Sequence, residues 1–141
     1  MARLSVTGLD EALRQLDDVK ERLQHITPAL DEIGREIKTH IEERFHTRTA
    51  PDGREWLPVT LNTALYRDGD SLGLMRSRFA SVRYRSIQYG AKASFAAVHQ
   101  HGDGRVPARP FAPTDEDQGG PAEQLRERAK QALVEHVMGR R

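Results

Sequence analysis

Apolar residues recur along the first third of the chain with a helical period. Leu9, Leu16, Leu23, Leu30 and Ile37 are spaced by seven, and Ala12, Val19, Ile26 and Ile33 follow them at a spacing of three, the a/d pattern of a helical seam. His40 is the polar end of the second row. Beyond Ile37 the apolar positions fall at Ile41 and Phe45, a four-residue step suited to packing on a globular core. Pro28 cuts the pattern. Two helices, 9–26 and 28–46, are predicted, with Thr27 as the N-cap of the second and Asp31 in its following turn. An unbroken helix would be ~57 Å long, against a radius of gyration of ~14 Å for a compact chain of this size. Burial of the seam against the domain's own sheet is the expectation, and an oligomer contact the alternative.

The pattern then changes period. Arg3 to Val6 alternates as a short strand would, and Thr7-Gly8 turns into the first helix, with Asp10 and Glu11 in its first turn. Pro51-Asp52-Gly53 is a turn, followed by the extended apolar anchor Trp56-Leu57-Pro58. A second polar turn, 67–70, precedes Leu72 and Leu74. Val82 and Tyr84 alternate with Arg83 and Arg85, and Ile87 and Tyr89 repeat the alternation after a slip of one residue, which requires a bulge or tight reversal near Arg85-Ser86. Ala93 to Val98 reads as a short buried helix or strand. The acidic and glycine-rich run 115–120 is a linker, and Pro121 opens a last helix, 121–138. Leu125, Ala129, Ala132, Leu133 and Val137 form one face of that helix, and Gly139 ends it. These elements define an α+β domain spanning 1–141: N-terminal helices over 9–46, sheet and loops over 47–118, and the C-terminal helix. The helices pack on a small antiparallel sheet from 3–6, 79–85 and 86–91.

Composition narrows the chemistry. The 22 basic and 21 acidic residues nearly cancel, so nonspecific polyanion binding by the whole molecule is not expected. The absence of cysteine excludes disulfides, thiolate metal sites and cysteine nucleophiles, and fits a cytosolic protein. No apolar run approaches the ~20 residues of a membrane span, and no signal peptide is visible.

The stretch Val98 to Phe111, VHQHGDGRVPARPF, is the densest in candidate chemistry. In an extended chain His99, His101 and Asp103 would project to one side as two imidazoles and a carboxylate, a metal-binding set. Gly102 and Gly104 loosen that backbone and no orienting partners are visible, so hydrogen-bonding loop histidines are the expectation, with no metal and no cofactor. Nucleophile elbow, phosphate loop and HExxH are all absent, and the acidic pairs Asp68/Asp70 and Asp115/Asp117 read as solvated turn residues; no catalytic residue is assigned. Arg76, Arg78, Arg83, Arg85 and Lys92 concentrate positive charge, with Phe79, Tyr84 and Tyr89 between them. A DNA-facing patch is one reading and the solvated or protein-facing side of a strand the other. Pro107, Pro110 and Pro113 stiffen VPARPFAP and remove amide donors. Within it Phe111 supplies a ring to bury and Arg109 a planar fork, the chemistry of an anchor within the domain or between subunits.

Taken in order, FHTRTAPDGREWLPVT, DGDSLGLMRS, FAAVHQHG and VPARPFAPTDED resemble the phage virion morphogenesis family, the Mu-like and P2-like tail completion proteins, over about residues 30–135. Pro51, Asp52, Gly53 and Trp56 match its PDG-x-x-W turn. His99, Gln100 and Gly102 match its HQ-x-G segment, and Pro107, Ala108, Arg109, Pro110 and Phe111 its PARPF motif. Ser71-Leu72, Leu74 and Ser77 match a further element loosely, and Phe95 stands near a usual Tyr. The resemblance implies a structural, non-enzymatic protein of the virion neck or tail end, assembled in the bacterial cytoplasm. It would complete the tail or join it to the head. The implied partners are tail terminator or tail tube proteins, head-closure or connector proteins, and further copies of the chain, arranged as a homo-oligomer or ring near packaged DNA. The HQ-x-G and PARPF residues then become a fold-defining, contact-making loop rather than metal ligands. On that reading Arg109 and Phe111 face neighbouring subunits.

Overall fold

The computed structural model describes residues 7–57 and 70–140, without the side chains of 70–72. The predicted strand 3–6 and the turn 67–69 lie outside them. In chain order the elements are α1 (Leu9–Gln24), α2 (Thr27–Thr47), α3 (Asp70–Arg76), β1 (Arg78–Arg83), β2 (Ser86–Ala91), α4 (Ala96–His101) and α5 (Gly120–Met138). The fold class is α+β, as the alternation of periods indicates.

Helix α2 is the centre of the fold. It contacts α5 and both strands of the hairpin, and its buried residues are Ala29, Leu30, Ile33, Gly34, Ile37, His40, Ile41 and Arg44. Ile33, Ile37 and Ile41 join Leu74, Ala96, Phe111, Leu125 and Ala132 in one apolar core. At Gly34 the hairpin lies close: a methyl group built there would lie 3.7 Å from the Ala80 side chain and 4.0 Å from Ile87. Strand alternation therefore turns Ala80, Val82, Ile87 and Tyr89 toward α2, and Phe79, Ser81, Arg83, Ser86 and Gln88 away from it.

The seam divides at the proline. Its second half is core, but α1 has no buried residue, and Leu9, Leu13, Leu16 and Leu23 remain between 44% and 64% exposed. Burial of the whole seam against the sheet is thus corrected: among the described residues the main contact of α1 is with α5, near its C-terminal end. There Arg22 donates to the Val137 carbonyl (3.2 Å), and the His136 ring nitrogen lies 3.0 Å from the His25 carbonyl. The guanidinium caps the carbonyl end of α5, where a positive charge is favoured. Gly139 ends α5 with φ 69°, as its position predicts.

Two local expectations also change. Ile26, not Thr27, occupies the cap position of α2, and Thr27 and Pro28 begin the helix. The amide that proline lacks is among the four that a helix leaves unbonded in any case. Tyr84 leaves the strand: Arg83 pairs with Ser86, so Tyr84-Arg85 is a two-residue turn, with Tyr84 at φ 59° and 90% exposed. The one-residue slip in the sequence is this reversal. Among the described residues the sheet has two strands, and a bridge between Thr49 and Glu55 closes the Pro51-Asp52-Gly53 turn.

His40 is 1% exposed on α2. Burial first, then the charges of Arg44 and Arg128, lower its pKa from 6.5 to about 4, while Asp117 opposes them. The folded state therefore holds a neutral imidazole where the unfolded chain takes up a proton. Stability should fall as pH drops from about 6.5 to about 4, by on the order of 2–3 kcal/mol. His40→Gln should flatten that part of a urea-midpoint profile against pH; an unchanged slope would count against this assignment. At Gly34, Ala should fit the ordinary contact distances and stabilise the helix by up to ~1 kcal/mol, whereas Leu should push the hairpin away and lower the melting temperature.

Candidate functional site: the proline-stiffened loop and the two exposed faces

The loop after α4 is built by replacing missing backbone donors with side chains. Pro107, Pro110 and Pro113 offer no amide, so the segment cannot take a regular place in a sheet. Gln100, on α4, supplies the partners instead. Its Oε1 accepts the amides of Phe111 (3.0 Å) and Ala112 (3.1 Å), and its Nε2 donates to the Ala112 carbonyl (2.9 Å). The Arg109 amide donates to the His99 carbonyl (2.7 Å), the Trp56 indole to the Pro110 carbonyl (2.9 Å), and the Tyr89 hydroxyl to the Pro113 carbonyl (2.7 Å).

Gly102 makes the return possible. It has φ 72°, and a Cβ there would lie 2.9 Å from the Ala108 nitrogen and the Val106 oxygen, which only glycine avoids. Asp103 closes the tip, its Oδ1 accepting the amides of Arg105 (2.9 Å) and Val106 (2.8 Å); those bonds hold its carboxyl below the usual range.

Phe111 is 2% exposed and Arg109 1%. The Phe111 ring lies 5.5 Å from Phe45, which meets Trp56 edge-on at 5.5 Å. The Arg109 Nε donates to the Leu57 carbonyl (3.3 Å). The expectation that these two side chains face neighbouring subunits is therefore corrected: both are enclosed by their own domain, while His101, Asp103, Gly104, Arg105 and Ala108 of the same loop are exposed. The sequence pattern marks Phe45, Trp56 and Phe111 as apolar positions of three separate segments; that the Phe45 ring joins the other two follows from the tertiary fold.

The Pro51-Asp52-Gly53 turn also faces inward. Pro51 is fully buried, and its carbonyl accepts the Ala122 amide (2.8 Å) in the first turn of α5. Gly53 has φ 93°, and its amide bonds the Ala50 carbonyl (2.9 Å). Asp52 pairs with Arg54 at 2.6 Å and holds the turn from outside.

The histidines do not converge. Helix α4 runs through His101, so the extended geometry of the metal reading is replaced by a helix in which residues two apart point to different sides. His99 is buried edge-on against Phe95 (5.4 Å), while His101 is exposed. Among the described residues no three His, Cys, Asp or Glu side chains are placed to share a metal ion.

The five basic candidates separate. Arg78 turns toward α2, donating to the Glu42 carboxylate (2.7 Å) and the Met75 carbonyl (2.7 Å). Arg76, Arg83, Arg85 and Lys92 are exposed. Arg85 lies 5.9 Å from the Tyr84 ring centroid and Lys92 5.7 Å from that of Phe79. The described surface thus carries two unpartnered features, the leucine stripe of α1 and the basic, aromatic outer side of the hairpin.

The chain matches the phage virion morphogenesis family over residues 4–133 and belongs to it. Membership makes it a structural phage protein. No curated protein and no solved structure matches the chain, and no described helix is long and apolar enough to cross a membrane.

Removing the Gln100 amide leaves two loop amides and a carbonyl without their partners, so Gln100→Ala should cost about 3 kcal/mol. Phe111→Ala, which empties the core end of the aromatic trio, should cost about 3–5 kcal/mol. Both are measured by urea unfolding. Wild-type stability in either variant would show that the loop is not part of the fold's foundation.

Proposed function

We propose that this protein works at the neck or tail end of a phage particle, completing the tail or joining it to the DNA-filled head through protein contacts and without catalysis. The observation that carries this reading is the family match, which covers nearly the whole chain. The geometry supports it from the other side: His99, Arg109 and Phe111 of the stretch richest in chemistry are buried in their own domain, while the described residues leave an apolar helix face uncovered. The partners that fit are tail terminator or tail tube proteins, head-closure or connector proteins, and further copies of the chain in a ring.

A second reading has its own observation. Exposed Arg76, Arg83, Arg85 and Lys92 with Tyr84 form a surface of the kind that tracks a phosphate backbone, in keeping with a site near packaged DNA. Steeply salt-dependent DNA binding by the isolated protein, lost in Arg83→Ala/Arg85→Ala, would favour it.

The primary reading is tested by deleting the gene from its phage or prophage and imaging the particles. Filled heads and separate tails are expected, with joining restored by supplying the protein. Intact, infectious particles made without it would overturn the assignment.

A further inference from the structure

Residues Leu9 to Asp18 of α1 are all exposed. A 16-residue helix is marginal in water without a packing partner, and this one carries an apolar stripe interrupted by Lys20. Leu9, Ala12, Leu13, Leu16, Val19 and Leu23 fall within one side of the helical wheel. On the Leu13 side the stripe is edged by Asp10, Asp17 and Glu21, and α1 as a whole has five acidic against three basic residues.

The hairpin offers the complement. Residues 76–92 contain Arg76, Arg78, Arg83, Arg85 and Lys92 and no acid. Its outer side carries Phe79 and Arg83 among Ser81, Ser86 and Gln88, with the exposed Tyr84 ring at its tip. Six residues per strand give it a length of ~20 Å, close to the ~24 Å of α1. A helix laid along it would set leucines against Phe79 and Tyr84 and an acidic edge against Arg83, Arg85 and Lys92.

We propose that α1 of one copy docks on the outer face of the β1–β2 hairpin of a second copy. The contact joins two different surfaces, so each chain has one of each free and assembly continues head to tail, closing into a ring where the rotation permits. Symmetric pairing of α1 with itself fits less well: two heptads fall short of the three to four a coiled coil needs, and an antiparallel pair brings the two acidic edges together. The proposal rests on the assembly reading above and names the surface by which copies meet.

The test uses the full chain and two double variants, Leu13→Glu/Leu16→Glu in α1 and Arg83→Glu/Arg85→Glu in the hairpin. All four positions are on exposed elements outside the α2 core, and circular dichroism checks that both variants fold. Light scattering over a concentration series should show wild-type chains associating, more strongly at low salt, and each variant alone staying monomeric. An equimolar mixture of the two variants should form a dimer and nothing larger, because one intact α1 face and one intact hairpin face remain. A hairpin variant that still self-associates would overturn the proposal in favour of α1 pairing. A mixture that stays monomeric, or a wild type monomeric at hundreds of micromolar, would also overturn it. Those failures leave the neck assignment standing, since it depends on particles made with and without the protein.

Discussion

Three prolines within seven residues deny the segment 107–113 the amide ladder of a sheet, and the fold depends on the primary amide of Gln100 supplying it instead. One side chain accepts two backbone amides and donates to one carbonyl within two successive residues. A carboxylate has no donor for that carbonyl and a hydroxyl too short a reach, so the geometry needs an amide on a long stem. Because α4 holds Gln100, the loop's position is fixed by a helix that itself joins the core through Ala96.

That clamp decides where the loop's large side chains go. With the backbone pinned at Phe111 and Ala112, the Phe111 ring enters the core beside Phe45, and the Trp56 indole reaches across to the Pro110 carbonyl. The turn preceding Trp56 meets the start of α5 through the Pro51 carbonyl. Elements far apart in sequence are thus joined by a few directed bonds around a modest apolar core. The sequence's low aromatic content anticipates such a core, and the three rings lie where helix, turn and loop meet.

Much of this was legible in the residues. Helical and strand periods, the break at Pro28, the reversal between two alternating segments and the stop at Gly139 are local, and each is written in a few neighbouring side chains. What could not be read was direction. Arg109 and Phe111 have the chemistry of an anchor, but whether an anchor holds its own domain or a neighbour depends on Leu57, Phe45 and Gln100, which only the tertiary fold brings near. The same limit explains Arg78: it lies in a basic stretch of sequence, and its ion pair with Glu42 requires the hairpin to lie on α2. It also explains the seam, whose spacing continues unchanged through two helices in opposite surroundings.

That contrast between α1 and α2 bears on assembly. Leu30, Ile33 and Ile37 are satisfied by the chain itself, so substituting them acts on folding first, whereas the leucines of α1 add nothing to the folded monomer's core. Their grouping on one side of the helix, interrupted by Lys20, is more than a scattering of surface leucines. A stripe of this kind lowers free energy only when something covers it. With Arg109 and Phe111 enclosed by their own domain, the α1 stripe is the apolar face among the described residues that the proposed contact between copies would cover.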